Sequence, residues 1–471
     1  MRLIDALRMT PTSRLALTGS GGKSSALFRL GNEFLSGSSS KSAKNTRFEL
    51  SRVFLTTTTH LSQNQIRYAD HHIIYKDIDA QGIKDLGDLK GKILVTGYPV
   101  EKNRLGGVPL RWLDSLKIYA DEYSIPILIE ADGSRQLPLK APGPKEPVVP
   151  DWVDIVAVFA GLSGLNQPLT EEWVFREELF SKLANISLGE IISPQALAKV
   201  LGHPFGGLKS IPDKSRRIIV LNQSTNSKRQ AAAFHISSLL LPVYESVVVA
   251  NIPHLASLTY ESSNTDQEVI AVHQNVAGVI LAAGGSSRFG RTKQVLEWGG
   301  KPLVRHVAET ALTARLSPVV IVAGNDFESV ESAVEGLPVI LVRNLNWEMG
   351  QASSVRTGVL TLPPTSGAAI FLLADQPMIP ATLINSLVEL HSLEMAPIVA
   401  PLVDGRRANP VLFDRITFPE LSLLTGDTGG RVLFDRFSPT WLPWNDSQIF
   451  FDIDTPDDYS KFMSLAENGM R

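Results

Sequence analysis

The sequence contains no cysteine. This absence excludes disulfide bonds, cysteine-ligated metal centres and thiol catalysis. No apolar run approaches the roughly 18 to 20 residues that a membrane-spanning helix needs, and the amino terminus has no apolar stretch typical of a signal peptide. A net charge of −3 on 471 residues gives no general attraction to nucleic acid or to an anionic membrane. We therefore expect a cytoplasmic protein that binds neither, and any polyanionic ligand needs a local cluster of donors.

Short runs of Val, Ile and Leu recur along the chain, separated by amphipathic stretches. Unbroken rather than alternating apolar runs are typical of strands buried on both faces, with helices between them. The pattern predicts two α/β domains, each a mostly parallel sheet flanked by helices. We place the first domain at 1–255, a polar linker at 256–275 and the second domain at 276–471. A serine-rich stretch at 36–45 is interpreted as a mobile surface loop of the first domain.

A glycine-rich turn follows an apolar run in the second domain, in the stretch LAAGGSSRFGRTK at 281–293. Gly284 and Gly285 let backbone N–H groups approach a phosphate. Arg288 and Lys293 supply the positive charge that a triphosphate needs in this weakly charged protein. The G-x-G-x-x-G pattern is absent, which disfavours a dinucleotide site. The alternative is an ordinary strand-to-helix turn with two solvated cations.

Carboxylates follow two other segments of the same domain. Asp375 ends an apolar strand, at the edge where α/β sheets bind ligands, and is a candidate Mg²⁺ ligand. Asp452 and Asp454 alternate, which predicts that both lie on one side of a strand and that one of them is a second ligand. The alternative role for Asp375 is a helix cap. For Asp454 it is the cap of a helix that starts at the following Thr-Pro.

Six segments in order resemble the MobA-like nucleotidyltransferases, and among them the molybdenum cofactor cytidylyltransferases. They are LAAGGSSRFGRTKQVLEWGGKPLV, NWEMGQASSVRTG, LADQPMI, RRANPVLF, LTGDTGGRVLF and DIDTPDDY. The resemblance covers about residues 276–465. It implies transfer of CMP from CTP to the terminal phosphate of the molybdopterin-bound molybdenum cofactor with release of pyrophosphate, dependent on Mg²⁺. The implied partners are apo molybdenum hydroxylases of the xanthine dehydrogenase type.

The resemblance also assigns roles to residues. The nucleotide-binding residues would be Leu281, Ala282, Ala283, Gly284, Gly285, Ser287, Arg288, Lys293, Ser354 and Arg356. The acceptor-binding residues would be Asn409, Pro410, Gly426, Asp427 and Arg431. Asp375 would be the principal metal ligand, with Asp454 or Asp452 as the second, and Arg288, Lys293 and Asp375 would be catalytic. Ala408 departs from the pattern, which predicts a glycine there.

Two other functions stay open. The LAAG spelling favours CTP by resemblance, but the same scaffold serves guanylyl transfer or a sugar-phosphate acceptor. A non-catalytic carrier or chaperone of the finished cofactor is the alternative from another class.

A second glycine–lysine loop, LTGSGGKSS at 17–25, follows the shortened phosphate-loop spelling G-x-x-G-K-S between a strand and an amphipathic helix. Lys23 is predicted to reach the phosphates of ATP or GTP, and Ser24 to contact Mg²⁺. The alternative is a glycine-rich structural turn. The residues predicted for this site are Gly19, Gly21, Gly22, Lys23, Ser24, Thr57, Glu130 and Asp132.

The first domain also resembles the YqeC-like accessory proteins of selenium-dependent molybdenum hydroxylases. The resemblance rests on the same loop and on VAVFAGLSGLNQPLTEEWVFREELF, and it covers about residues 5–250. It implies a context, the maturation of a molybdenum hydroxylase, rather than a reaction.

Overall fold

The computed structural model describes residues 1–36, 50–75, 86, 89–101, 103–257, 268–285, 289 and 292–469. The chain divides into two compact units, Met1–His273 and Gln274–Arg471. Each unit is an α/β structure with its own hydrophobic core, which confirms the predicted fold class. None of the described helices is both long and apolar enough to cross a lipid bilayer.

The first unit is built on a sheet of which nine strands are described. In spatial order they are Val269–Gln274, Ser246–Ala250, Arg216–Asn222, Ile155–Gly161, Arg14–Gly19, Ile127–Glu130, Arg52–Thr57, Gly91–Thr96 and His71–Ile74. From Ser246–Ala250 to His71–Ile74 every neighbouring pair is parallel. The α-helices are Leu3–Ala6, Lys23–Leu35, Leu110–Glu122, Glu177–Ala184, Pro194–Leu201 and Ser227–Leu240. The buried apolar strands explain why helices cover the sheet.

Part of the segment predicted as a linker belongs to the first sheet. The strand Val269–Gln274 lies beside Ser246–Ala250 at the sheet edge. The buried residues of this strand do not alternate strictly, and polar residues flank it, so the sequence pattern did not identify it as a strand. Residues 258–267 of the predicted linker and 37–45 of the predicted serine-rich loop lie outside the described residues.

The second unit is built on a sheet of which eight strands are described. Seven of them run in the order Ile340–Arg343, Val319–Ala323, Val276–Ala282, Ala368–Leu373, Val411–Asp414, Ile398–Val403 and Arg406–Arg407, and Thr440–Pro443 pairs with Ile398–Val403. The first four strands are parallel to one another, whereas Val411–Asp414 is antiparallel to both of its neighbours. The α-helices are Leu303–Thr313, Phe327–Ala333, Gln351–Thr361, Ala381–Glu394, Phe418–Leu421 and Pro456–Gly469.

Parallel pairing brings the carboxyl ends of neighbouring strands to one sheet edge, where α/β proteins bind ligands. In the second unit the glycine turn after Val276–Ala282 and Asp375 after Ala368–Leu373 share such an edge. In the first unit the loop after Arg14–Gly19 and the carboxylate Glu130 share the corresponding edge. The topology therefore positions both predicted sites.

Candidate nucleotide-binding sites

A lysine lies between two carboxylates at the carboxyl edge of the second sheet. Lys293 Nζ is 2.5 Å from Asp375 Oδ2 and 2.8 Å from Asp454 Oδ1. Burial alone would lower the pKa of Lys293, but the two carboxylates outweigh this effect and raise its pKa above the usual value. Lys293 is therefore charged at neutral pH, and Asp375 and Asp454 lie within reach of one cation.

Backbone hydrogen bonds position the two segments that carry Asp375 and Asp454. Ala374 N donates to Leu281 O at 3.2 Å, which keeps the end of the Asp375 strand beside the strand of the glycine turn. Ile453 N donates to Asp375 O at 3.2 Å and so anchors the segment that carries Asp454. Asp375 is not a helix cap, because the next helix begins at Ala381 after Pro380.

The expectation that Asp452 and Asp454 lie on a strand is wrong, because residues 451–454 form no strand. Ile453 is instead buried in a small apolar cluster that includes Leu303. The two aspartates are exposed on either side of Ile453. Asp452 accepts a hydrogen bond from Gln376 Nε2. Desolvation raises the pKa of Asp452, and the charges of Asp375 and Asp454 add to this rise.

Asp454 is not the cap of the helix Pro456–Gly469. Thr455 Oγ1 accepts from Asp458 N at 3.2 Å, and the Asp458 carboxylate accepts from Thr455 N at 3.0 Å. This reciprocal pair is a capping box. The Asp454 carboxylate is therefore available to Lys293 or to a metal ion.

The glycine turn is described only in part, because Ser287 and Arg288 lie outside the described residues. Gly284 O accepts a hydrogen bond from the buried Gln294 Nε2 at 3.0 Å. A Cβ at Gly285 would lie 2.6 Å from the Trp347 ring. The packing of Trp347 therefore requires a glycine at this position, whether or not a phosphate approaches.

The other predicted nucleotide-binding residues have varied surroundings. Ala282 and Ala283 are buried, whereas Leu281 lines a cavity that is described below. Ser354 is also buried, and its hydroxyl is 3.0 Å from Asn344 Nδ2. Arg356, on the same helix, is half-buried. The roles of all five in binding a nucleotide remain predictions.

A cavity of about 370 Å³ lies beside the carboxylates of the second unit. Of the predicted acceptor residues, Asn409 and Arg431 line it, and Pro410, Gly426 and Asp427 do not. Asp427 instead accepts from Gln351 N at 3.2 Å, at the amino end of a helix. Other lining residues are Gln376, Arg407, Ala408, Phe371, Phe413, Phe434, Phe450 and Asp452. The mixture of aromatic rings and arginines suits a flat ring that carries a phosphate.

Three amide side chains of the second unit were missed by the sequence analysis. Gln294 holds the glycine turn, Gln376 holds Asp452, and Asn344 Nδ2 donates to Ser353 Oγ as well as to Ser354 Oγ. Two of them follow predicted site residues directly in the sequence. Their position next to Lys293 and Asp375 was the available signal.

In the first unit the lysine of the glycine–lysine loop donates a hydrogen bond to a backbone carbonyl of the same loop. Lys23 Nζ donates to Gly19 O at 2.6 Å and is 3.3 Å from Asp132 Oδ1. Ser24 Oγ donates to Glu130 Oε2 at 2.8 Å. Gly22 has a φ of +127° immediately before the helix that starts at Lys23, a conformation that L side chains rarely adopt. The predicted lysine, hydroxyl and carboxylates are thus within contact distance of one another.

Further contacts brace the same loop. Asp132 Oδ2 accepts from Gly19 N at 3.0 Å, and Thr57 Oγ1 donates to Glu130 O at 2.9 Å. Two contacts were missed by the sequence analysis. Asn222 Nδ2 donates to Gly21 O at 2.8 Å, and Lys140 Nζ donates to Asp132 Oδ2 at 2.8 Å. Asn222 comes from a distant segment, whereas Lys140 follows Asp132 by eight residues but lies outside the phosphate-loop spelling.

Both candidate metal sites offer few protein ligands. Among the described residues no group of three or more His, Asp or Glu side chains is placed to hold a metal ion. Asp375 with Asp454, and Ser24 with Glu130, each place two oxygen-bearing side chains close enough together to share one cation. Such a pair suits Mg²⁺, which takes one or two carboxylates and completes its shell with phosphate oxygens and water.

Two family profiles match the chain. The MobA-like NTP transferase domain matches residues 278–440, and the YqeC protein family matches residues 15–178. Nicotine blue oxidoreductase from Paenarthrobacter nicotinovorans is 33% identical over 38% of this chain and 92% of its own length. Purine catabolism protein PucB from Bacillus subtilis is 33% identical over 39% of this chain and 93% of its own length.

A third relative and a solved structure each match part of the chain. The uncharacterized protein YqeC from Escherichia coli is 27% identical over 50% of this chain and 84% of its own length. The crystal structure of Rv0371c from Mycobacterium tuberculosis is 25% identical over 41% of this chain and 99% of its own, with a TM-score of 0.37.

The fold of the second unit, its lysine–carboxylate centre and the matching family profile together define an enzyme of the nucleotidyltransferase class. The chain belongs to the MobA-like NTP transferase family, and a YqeC domain occupies its earlier part. The resemblances to the MobA-like nucleotidyltransferases and to the YqeC family are confirmed.

Proposed function

We propose that the second unit transfers CMP from CTP to the terminal phosphate of the molybdopterin-bound molybdenum cofactor and releases pyrophosphate. The observation that carries this proposal is the Lys293–Asp375–Asp454 centre. Asp452, next to this centre, lines the acceptor cavity together with Arg431. A triphosphate held at the centre would therefore present its α-phosphorus to a phosphate in the cavity.

The chemistry needs positioning and charge neutralisation rather than a base. The acceptor phosphate is ionised at neutral pH, and its oxygen attacks the α-phosphorus of CTP. The bond to the bridging oxygen breaks, and pyrophosphate leaves with the electron pair. Asp375 and Asp454 would hold Mg²⁺, which when bound neutralises charge on the triphosphate. Lys293 stabilises the leaving group by electrostatics, and Arg431 orients the acceptor.

Nucleotide choice is tested by incubating the protein with each labelled nucleoside triphosphate, Mg²⁺ and molybdenum-loaded molybdopterin. We expect pyrophosphate release with CTP to exceed that with GTP by at least about tenfold, a difference of about 1.4 kcal/mol in transition-state binding. Release with GTP and not with CTP would assign guanylyl transfer instead. Tight cofactor binding without any turnover would favour the carrier.

The recipient of the product is proposed to be an apo-hydroxylase of the xanthine dehydrogenase type. One relative is named a purine catabolism protein, and xanthine is a purine. Reconstitution of such an apo-hydroxylase by the reaction mixture is the measurement that tests this partner.

We also infer that the first unit binds ATP or GTP together with Mg²⁺. The contact of Ser24 with Glu130 supports this proposal, because a hydroxyl at the start of a helix and a neighbouring carboxylate can share one metal ion. The Lys23 side chain is placed at the same helix start, where its Nζ donates to Gly19 O within the loop.

Replacing Lys23 with Ala is expected to weaken ATP or GTP binding to the full chain by about 10²-fold, since one charge-assisted contact to phosphate is worth about 1.5 to 3 kcal/mol. Calorimetry with each nucleotide measures the loss, and thermal unfolding checks that the variant is folded. Unchanged affinity would rule the loop out as the binding site. The CMP transfer rate of the same variant then reports whether the two sites are coupled.

A further inference from the structure

The first unit contains a cavity of about 390 Å³ that has no role in the functions proposed above. It lies at the carboxyl ends of the strands Arg52–Thr57 and Ile127–Glu130, and Thr58 and Ala131 line it. Its volume lies within the range of small-molecule sites. The cavity is therefore large enough for a substrate.

Hydrogen bonds connect residues that line this cavity with the candidate phosphate loop. Thr58 N donates to Glu130 O at 3.1 Å, and the Glu130 side chain accepts from Ser24 in the loop. Ala131, which lines the cavity, stands between Glu130 and Asp132, the two carboxylates that contact the loop. A nucleotide on the loop would therefore have its terminal phosphate near the ends of these strands, next to the cavity.

An ion-pair chain connects the wall of the cavity with the loop. Glu146 lines the cavity, and its Oε2 accepts from Lys140 Nζ at 3.1 Å. The same ammonium donates to Asp132 Oδ2, and Asp132 in turn lies beside Lys23. Lys140 thus stands between the loop and the cavity.

The charges in the cavity favour an anion. Lys145 and His60 have exposed side chains in the lining. The carboxylate in the lining, Glu146, is neutralised by Lys140 and by Arg176, whose Nη1 is 2.9 Å away. Burial alone would raise the pKa of Glu146, but hydrogen bonds from Arg176 and Lys140 hold it below its usual value. Glu146 is therefore a poor base, which favours a substrate that brings an oxygen already ionised.

We propose that the first unit is a phosphotransferase whose acceptor, a small molecule with a carboxylate or phosphate group, binds in this cavity. The inference rests on nucleotide binding at the phosphate loop. An ionised oxygen of the acceptor attacks the γ-phosphorus of ATP or GTP, and a new P–O bond forms. The bond between the γ-phosphorus and the bridging oxygen breaks, and the nucleoside diphosphate leaves with the electron pair. No proton is transferred.

The test uses the full chain with Asp375→Asn, the substitution that is expected to silence the second unit. The protein is given γ-³²P-labelled ATP or GTP, Mg²⁺ and one of two probe anions, inorganic phosphate or acetate. We expect at least one anion to accelerate nucleoside diphosphate formation about tenfold and to carry the label, as pyrophosphate or acetyl phosphate. Label found only in orthophosphate, at a rate that neither anion changes, would overturn the proposal.

A charge-reversal variant tests the location. Lys145→Glu is expected to reduce the anion-dependent rate about tenfold while nucleotide affinity changes less than about twofold. Lys199→Glu is the matched control, because Lys199 is exposed on the helix Pro194–Leu201 and does not line the cavity. An equal anion-dependent rate in both variants would place the acceptor elsewhere. Absence of nucleotide binding in calorimetry, by contrast, would refute the loop proposal itself.

Discussion

Replacing Asp375 with Asn is expected to reduce pyrophosphate release from CTP by at least about 10³-fold. The substitution removes the carboxylate charge that contacts Lys293 and that would hold Mg²⁺, so charge on the triphosphate is no longer neutralised. The rate of pyrophosphate release at saturating CTP and molybdopterin substrate measures the effect.

The matched control is Asp435→Asn, which removes an exposed carboxylate of the same unit that makes no contact with Lys293. We expect this variant to retain the wild-type rate. Thermal unfolding of both variants separates a loss of catalysis from a loss of fold. Wild-type turnover by a folded Asp375→Asn variant would refute the proposed metal site.

Replacing Lys293 with Ala is expected to have two opposite effects. Transfer of CMP should fall by about 10²- to 10³-fold, because a preorganised cation near the triphosphate is lost. Binding of Mg²⁺ or Mn²⁺ without nucleotide should become tighter, because the Lys293 ammonium no longer neutralises Asp375 and Asp454. Metal titration by calorimetry and the rate of pyrophosphate release measure the two effects.

Lys301→Ala serves as the control for this pair of measurements. Lys301 belongs to the same unit and pairs with Glu309 at 2.7 Å, away from both aspartates. Neither the metal affinity nor the transfer rate should change in this variant. Metal affinity that stayed the same or fell in Lys293→Ala would show that the lysine does not compete with a metal for these carboxylates.

Much of the fold followed from local patterns. The unbroken apolar runs predicted two parallel-sheet units, because a strand buried on both faces needs no polar side. Local patterns failed at two segments. Val269–Gln274 was read as linker because its neighbours are polar, and residues 451–454 were read as a strand because two aspartates alternate around Ile453.

The individual residues of the candidate site could be predicted from the sequence, but the contacts among them could not. Each was marked by a local feature: the glycine turn for Lys293, a strand end for Asp375 and the alternation with Asp452 for Asp454. That one ammonium contacts both carboxylates is a property of the fold, since the three residues are far apart in the chain. Two supporting residues were missed: Asn222 is remote in the chain from the loop that it contacts, and Lys140 follows the predicted Asp132 by eight residues.

The sequence by itself determined which chemical groups this protein has: glycine turns, cations and carboxylates at strand ends, and no thiol. Spacing along a chain reports local geometry, so it was sufficient for strands and phosphate-loop spellings. Only the tertiary structure decided which groups meet. Parallel pairing brings distant strand ends to one edge, and the cavities beside Asp452 and beside Thr58 form there from segments that no sequence pattern links.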